Sequence, residues 1–241
     1  MADKVSYPHV RSEEETLDAV LGGKSIARYG DGEFKIIFGA SCVSQKYSKA
    51  LAEEMAYILR AESSRCLVGI PNLDPRSPKI HLWRKYEKRY PTRLNRAKTY
   101  YSSFITRPDS APWIYTPEFY AKVTSLWRDK DVTLVSGTER SLTPEFVAST
   151  GGLNTSVFHI SCERRDAYEQ IDLIEKEIRK AGRTTVLLCC GPAATCLAWR
   201  LHQHFHAIDL GHIGMFWYEP GVSWHTGRIV RAQNSDYNLT P

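Results

Sequence analysis

Short apolar runs alternate with amphipathic stretches along most of this chain. Residues 25–29, 66–70, 99–105, 132–135, 157–160, 185–190 and 207–210 are brief, aliphatic or β-branched, and bounded by turn formers, which predicts strands. Between them lie helical signals. Ser12 and Glu15 form a capping-box pair for a helix that stops at Gly22-Gly23. Leu51, Met55, Ile58 and Leu59 stripe a second helix that ends near Ser63. Residues 74–92 form a basic stretch with Trp83 and Tyr86 interleaved, predicted as a helix broken at Pro91. Thr116-Pro117-Glu118 opens another helix with proline at its first position. Ile171, Ile174 and Ile178 mark one that ends at Gly182, and residues 193–202 form the last. The link between the runs at 132 and 157 has no clear form.

Strands alternating with helices imply βαβ units, so the expected fold class is α/β, a single Rossmann-like domain with a mainly parallel sheet flanked by helices. No repeat or linker divides residues 1–241; the core is expected over about 24–213, with an aperiodic tail over 217–241.

Composition narrows the function little. The chain is 42% hydrophobic and 24% charged, with a net charge of +5 that favours anionic ligands without choosing among them. No run approaches the roughly 18 uncharged apolar residues of a membrane span, and the first fifteen residues lack the apolar centre of a secretory signal. Six cysteines without a C-x-x-C pair fit a reducing, cytoplasmic setting.

In parallel α/β sheets ligands bind beyond the carboxyl ends of the strands, so the residues after each run carry the candidate chemistry. Arg28-Tyr29-Gly30-Asp31-Gly32-Glu33 follows the first strand. In an extended backbone Asp31 and Glu33, two apart, point the same way and make a hard-oxygen site suited to Mg2+ or Mn2+. Arg28 would reach phosphates with a guanidinium fork; otherwise the segment is a glycine-rich turn with two solvated acids. Cys190-Gly191-Pro192-Ala193-Ala194-Thr195 carries a buried strand into a helix whose N-terminus attracts anions, or is a plain turn with Pro192 presetting the helix. Asp209 lies 18 residues past Gly191, near the spacing at which Rossmann folds place an acid on a ribose hydroxyl, with His212 just beyond. His202 and His206 have the spacing of a helical metal pair, but the helix is expected to end between them. No G-x-S-x-G elbow, H-E-x-x-H helix or Walker loop is present.

These segments together resemble the GT-D type glycosyltransferases. Arg28-Tyr29-Gly30-Asp31-Gly32-Glu33-Phe34 is similar to the family's R-[YFI]-G-D-G-E block. Phe104-Ile105-Thr106-Arg107-Pro108 is similar to its F-x-[ST]-R-P block, and residues 167–174 follow the family's spacing into a helix. Residues 188–195 and 207–213 look like its G-P-x-A-T and D-[IL]-G-H-[IL] blocks. Gly214 replaces an acid that commonly follows in the family, and residues 138–146 lack its G-x-G-N-D run, so the acceptor of relatives does not transfer.

The resemblance implies a glycosyltransferase in which Asp31 and Glu33 hold Mn2+ or Mg2+ against the donor diphosphate. It also implies that Arg107 contacts substrate, and that Arg28, Tyr29, Gly30, Gly191, Pro192, Thr195, Asp209 and His212 form the nucleotide-sugar site. The donor it implies is a UDP-sugar, with glucose the default, and the acceptor a hydroxyl of a glycan or glycopeptide. Three alternatives stay open: transfer to modified nucleic acid, using the basic and aromatic residues between Arg76 and Tyr101; another Rossmann enzyme using NAD or S-adenosylmethionine; and a nucleotide-sugar-binding module without catalysis. A homo-oligomer is compatible with all of them.

Overall fold

The computed structural model describes residues 7–87, 89–107, 109–114, 116–137 and 142–216. Among these residues seven strands form one sheet: β1 (Ser25–Arg28), β2 (Cys66–Ile70), β3 (Tyr101–Ser102), β4 (Asp131–Ser136), β5 (Ser156–Ser161), β6 (Thr185–Cys189) and β7 (His206–Asp209). Their order is β3-β2-β1-β7-β6-β4-β5, and every pairing is parallel. Eight helices accompany them among the described residues: α1 (Glu13–Leu21), α2 (Asp31–Ile37), α3 (Lys49–Arg60), α4 (Ile80–Glu87), α5 (Pro117–Thr124), α6 (Pro144–Gly151), α7 (Ile171–Ala181) and α8 (Pro192–Leu201). None is long and apolar enough to cross a membrane.

The apolar runs are continuous because the sheet is covered on both faces. Successive strand residues point to opposite sides, so Ala27, Val68, Leu188 and Ala207 join one core with residues of α2, α3, α7 and α8. Their neighbours Ile26, Leu67, Leu187 and Ile208 join the other, with residues of α1, α4, α5 and α6. Helix ends follow local chemistry. Glu15 N donates to Ser12 Oγ at 3.1 Å while Ser12 N donates to Glu15 at 2.9 Å, and Gly182 closes α7 at φ +67°.

Four expectations change. The run at 99–105 pairs only over Tyr101–Ser102, because Ser102 Oγ accepts from Phe104 N at 3.1 Å and turns the chain into a 3-10 helix, Ser103–Thr106. The helix expected over 74–92 is confined to Ile80–Glu87, with a 3-10 turn at Tyr90–Thr92. The unassigned link after β4 contains α6, capped by Thr143, whose Oγ1 accepts from Phe146 N at 3.2 Å. Its Thr143-Pro144-Glu145-Phe146 opening repeats Thr116-Pro117-Glu118-Phe119 of α5. The fourth difference bears on the site: the acidic segment after β1 is the helix α2. The tail from Trp217 lies outside the described residues.

Candidate functional site

β1, β7 and β6 are neighbours, so the segments leaving their carboxyl ends are brought together. Beneath them lies a buried lattice. Arg28 N donates to Asp209 Oδ2 at 3.1 Å, and Arg28 Nε donates to the Asp209 carbonyl at 2.7 Å. Arg28 Nη1 donates to Ser103 O at 2.8 Å and to Thr106 Oγ1, and Nη2 stands 3.5 Å from Asp209 Oδ1. Thr195 Oγ1 donates to Arg28 O at 2.9 Å and lies 3.3 Å from Asp209 Oδ2. Gly211 N donates to Asp209 Oδ1 at 3.1 Å. A side chain at Gly211 would place its Cβ 2.2 Å from Arg28 Nη2, on a backbone of φ +54°.

Three residues expected to contact ligand lie in this lattice. Arg28 is expected to fork onto phosphate, Asp209 to hold ribose and Thr195 to touch donor. Their polar atoms instead bind one another and Ser103–Thr106, which ties the ends of β1 and β7 to the first turn of α8 and the turn after β3. Burial raises the Asp209 pKa, and Arg28 with the N–H donors opposes that shift. The arrangement therefore positions the edge. Tyr29 is a fourth expected site residue: its ring is fully buried 5.8 Å from Phe34 and its hydroxyl donates to Met55 O at 2.8 Å, so its backbone is what it presents at the edge.

Above the lattice sits the start of α2. Gly30 is its N-cap, and its N–H donates to Glu33 Oε2 at 2.7 Å. Asp31, half-exposed, pairs with Lys35 Nζ at 2.6 Å. The two carboxylates are therefore not aligned as on an extended strand. Two helical steps turn the side chains by roughly 200°, and each acid folds toward a different partner. Burial raises the Glu33 pKa, and the nearby charge of Asp209 raises it further.

The donor set still fits a hard divalent cation. It is all carboxylate oxygen, and Asp31 reaches a half-exposed lysine at the start of the helix. Among the described residues no three metal-capable side chains cluster. Two carboxylates with phosphate oxygens and water is the usual way Mg2+ is held.

Across the edge, Gly191 (φ +61°, ψ −144°) caps α8, with Pro192 at its first position. His212 follows Gly211 in the turn before a 3-10 helix, Ile213–Phe216, and is half-buried. Sequence reasoning missed a strap between these helix starts. Residues 41–47 cross from α2 to the segment after β5, where Asp166 N donates to Ser44 O at 2.9 Å and Lys46 N to Asp166 Oδ1 at 2.6 Å. Cys42 Sγ lies 3.3 Å from where a Gly32 Cβ would sit, and Ser44 Oγ 3.1 Å from that of Gly191. The clue was small residues at 32 and 191, which leave room for a crossing chain.

Arg107 ends the turn after β3, 30% exposed, with Nε and Nη2 each 2.8 Å from Asp109, whose Oδ2 also takes Lys79 Nζ at 2.7 Å. Although burial opposes it, Arg107 and Lys79 hold the Asp109 carboxyl well below its usual range. The Arg107 fork expected for substrate thus has a protein partner. Arg107→Lys keeps the charge and loses the fork, so thermal unfolding should show about 1 kcal/mol of lost stability and kcat/KM should change less than about tenfold. A larger kinetic loss at unchanged melting temperature would show the direct substrate contact that the family resemblance implies. The His202–His206 pair does not form a metal site: α8 ends at Leu201, His202 Nδ1 meets Trp199 O, and His206 lies within β7.

Comparison with known proteins gives a consistent picture. The family model for the glycosyltransferase GT-D fold matches residues 26–227. The chain is 28% identical over 95% of its length to the probable glycosyl transferase Gly of Streptococcus gordonii, and 29% identical over 85% to the glycosyltransferase GlyD of Streptococcus pneumoniae. It spans 36% and 26% of those longer proteins. Among solved structures, a glycosyltransferase from Streptococcus sanguinis aligns over 87% of this chain and 83% of its own, at TM-score 0.72 and 29% identity. A domain of unknown function 1792, described as having a distinct glycosyltransferase fold, aligns over 88% of this chain and 81% of its own, at 0.76 and 30%.

Proposed function

The chain belongs to the glycosyltransferase GT-D fold family, and on that premise we propose that it moves a sugar from a UDP-sugar, glucose first among candidates, to a hydroxyl of a glycan or glycopeptide. One observation carries the reading: the acidic start of α2 and the Gly191–Pro192 start of α8 lie side by side on strands fixed by the Arg28–Asp209–Thr195 lattice. In this reading the diphosphate lies between those two helix starts. Asp31 and Glu33 hold Mn2+ or Mg2+, which offsets the charge of the departing nucleoside diphosphate when bound. The N-terminal dipole of α8 acts on the same anion, and Gly191 keeps the backbone close to it. His212 flanks the site from the end of β7. For nucleic acid as acceptor the structure offers less, since Arg76, at the start of the basic stretch, forks onto Asp74 and lies 4.6 Å from the Trp113 ring.

The test is a nucleotide-sugar panel with Mn2+ or with EDTA, read by release of nucleoside diphosphate. Slow hydrolysis to water should single out one donor and vanish in EDTA. Equal turnover in EDTA would refute the metal, and no turnover of any donor would favour a binding module.

A further inference from the structure

A cavity of about 210 Å3 opens at the amino edge of the sheet, opposite the donor segments. Cys66, Leu67 and Val68 at the start of β2 line it, with Ala97, Lys98, Thr99 and Tyr101 beside β3. Lys24, just ahead of β1, and Glu62 and Ser63, just past α3, complete it. Lys98 is half-buried there; its Nζ donates to Ala61 O and stands 5.0 Å from the Tyr100 ring. Neither Lys98 nor Lys24 has a carboxylate within 4.0 Å among the described residues. Burial pulls the Lys98 ammonium down to about 8.

An ammonium has three donors, and an ion removed from water without a counter-charge is costly. Lys98 and Lys24 line one space in which Glu62, itself exposed, is the single carboxylate among the described residues and offsets Lys98 only in part. A cation would be repelled there, and a neutral ligand would leave the charges uncompensated. We propose that this cavity binds a small oxyanion of the phosphate class, held by Lys98 and Lys24 with the hydroxyls of Ser63 and Thr99. Its volume is below the roughly 300 Å3 at which pockets take drug-sized ligands, so free phosphate or a compact phosphorylated molecule fits and a nucleotide-sugar does not. The donor is thus assigned to one edge and a small anion to the other.

The experiment is calorimetric titration of the full chain with inorganic phosphate at neutral pH in EDTA, for wild type, Lys98→Met, Lys24→Ser and Glu33→Gln. Saturable binding to one site is expected, weakened at least about tenfold by Lys98→Met, weakened by Lys24→Ser and unchanged by Glu33→Gln. Circular dichroism should show all variants folded, and Lys24→Ser carries the test if Lys98→Met does not fold. No saturable binding, or binding indifferent to both lysines, would overturn the proposal. Tighter binding in Glu33→Gln, as relief of repulsion from that carboxylate would give, would overturn it by moving the anion to the donor edge.

Discussion

Glu33→Gln should lower sugar transfer by about 100-fold or more, equivalent to about 2.7 kcal/mol of transition-state stabilisation, while the melting temperature barely moves. The separation follows from the two things Glu33 does. Its Oε2 accepts from Gly30 N at 2.7 Å and so caps α2, and a glutamine carbonyl accepts the same bond. The negative charge is what glutamine removes, and in the proposed site that charge holds the divalent cation. Asp31→Asn should act in the same direction. It gives up a half-exposed pair with Lys35 that contributes little to stability. Transfer rates near wild type in either variant, measured with saturating Mn2+, would remove the Asp31–Glu33 pair from the mechanism.

Asp209→Asn should be the most damaging single change to the fold, lowering stability by about 3 kcal/mol and the melting temperature by roughly 10 °C. Asp209 is 3% exposed and accepts from Arg28 N, Gly211 N and Thr195, with Arg28 Nη2 at 3.5 Å. An asparagine turns one acceptor atom into a donor facing donors, and leaves the Arg28 guanidinium in the interior without its counter-charge. The raised pKa of Asp209 shows that burial weighs heavily on its charge. The pair is therefore valued for position more than for net stability. Its loss should also loosen the ends of β1 and β7 and the first turn of α8, so donor affinity should fall with stability. Calorimetric unfolding checks the first effect; a melting temperature within a few degrees of wild type would contradict the lattice.

The sheet was legible in the sequence because its strands are buried on both faces, which writes continuous apolar runs at 66–70 and 185–190 that no solvent-facing alternation interrupts. β3 was over-read since Ser102 halts the pairing through a local side-chain bond that periodicity does not register. α2 was hidden because Gly30, Asp31 and Gly32 have turn composition, and its helix is held by the Gly30–Glu33 cap and by Phe34 stacked 3.6 Å from Tyr90. At the site, the segments that would converge could be located from strand ends alone. The hydrogen-bond partners of Arg28, Thr195 and Asp209 could not, since they are distant in sequence. Arg28 and Asp209 are 181 residues apart, and Thr106, which also binds Arg28, is 78 away. Local pattern marks a polar residue at a strand end; only the packed sheet shows whether it faces a ligand or another strand's residue.

The most direct measurement is a crystal structure of the chain with UDP and Mn2+. The account predicts the metal within bonding distance of Asp31 and Glu33, and the diphosphate between the start of α2 and the Gly191–Pro192 turn. Arg28 and Asp209 should still be bonded to each other beneath it. A nucleotide seated elsewhere, or held at this edge by Arg28 and Asp209 with their mutual bonds broken, would contradict it.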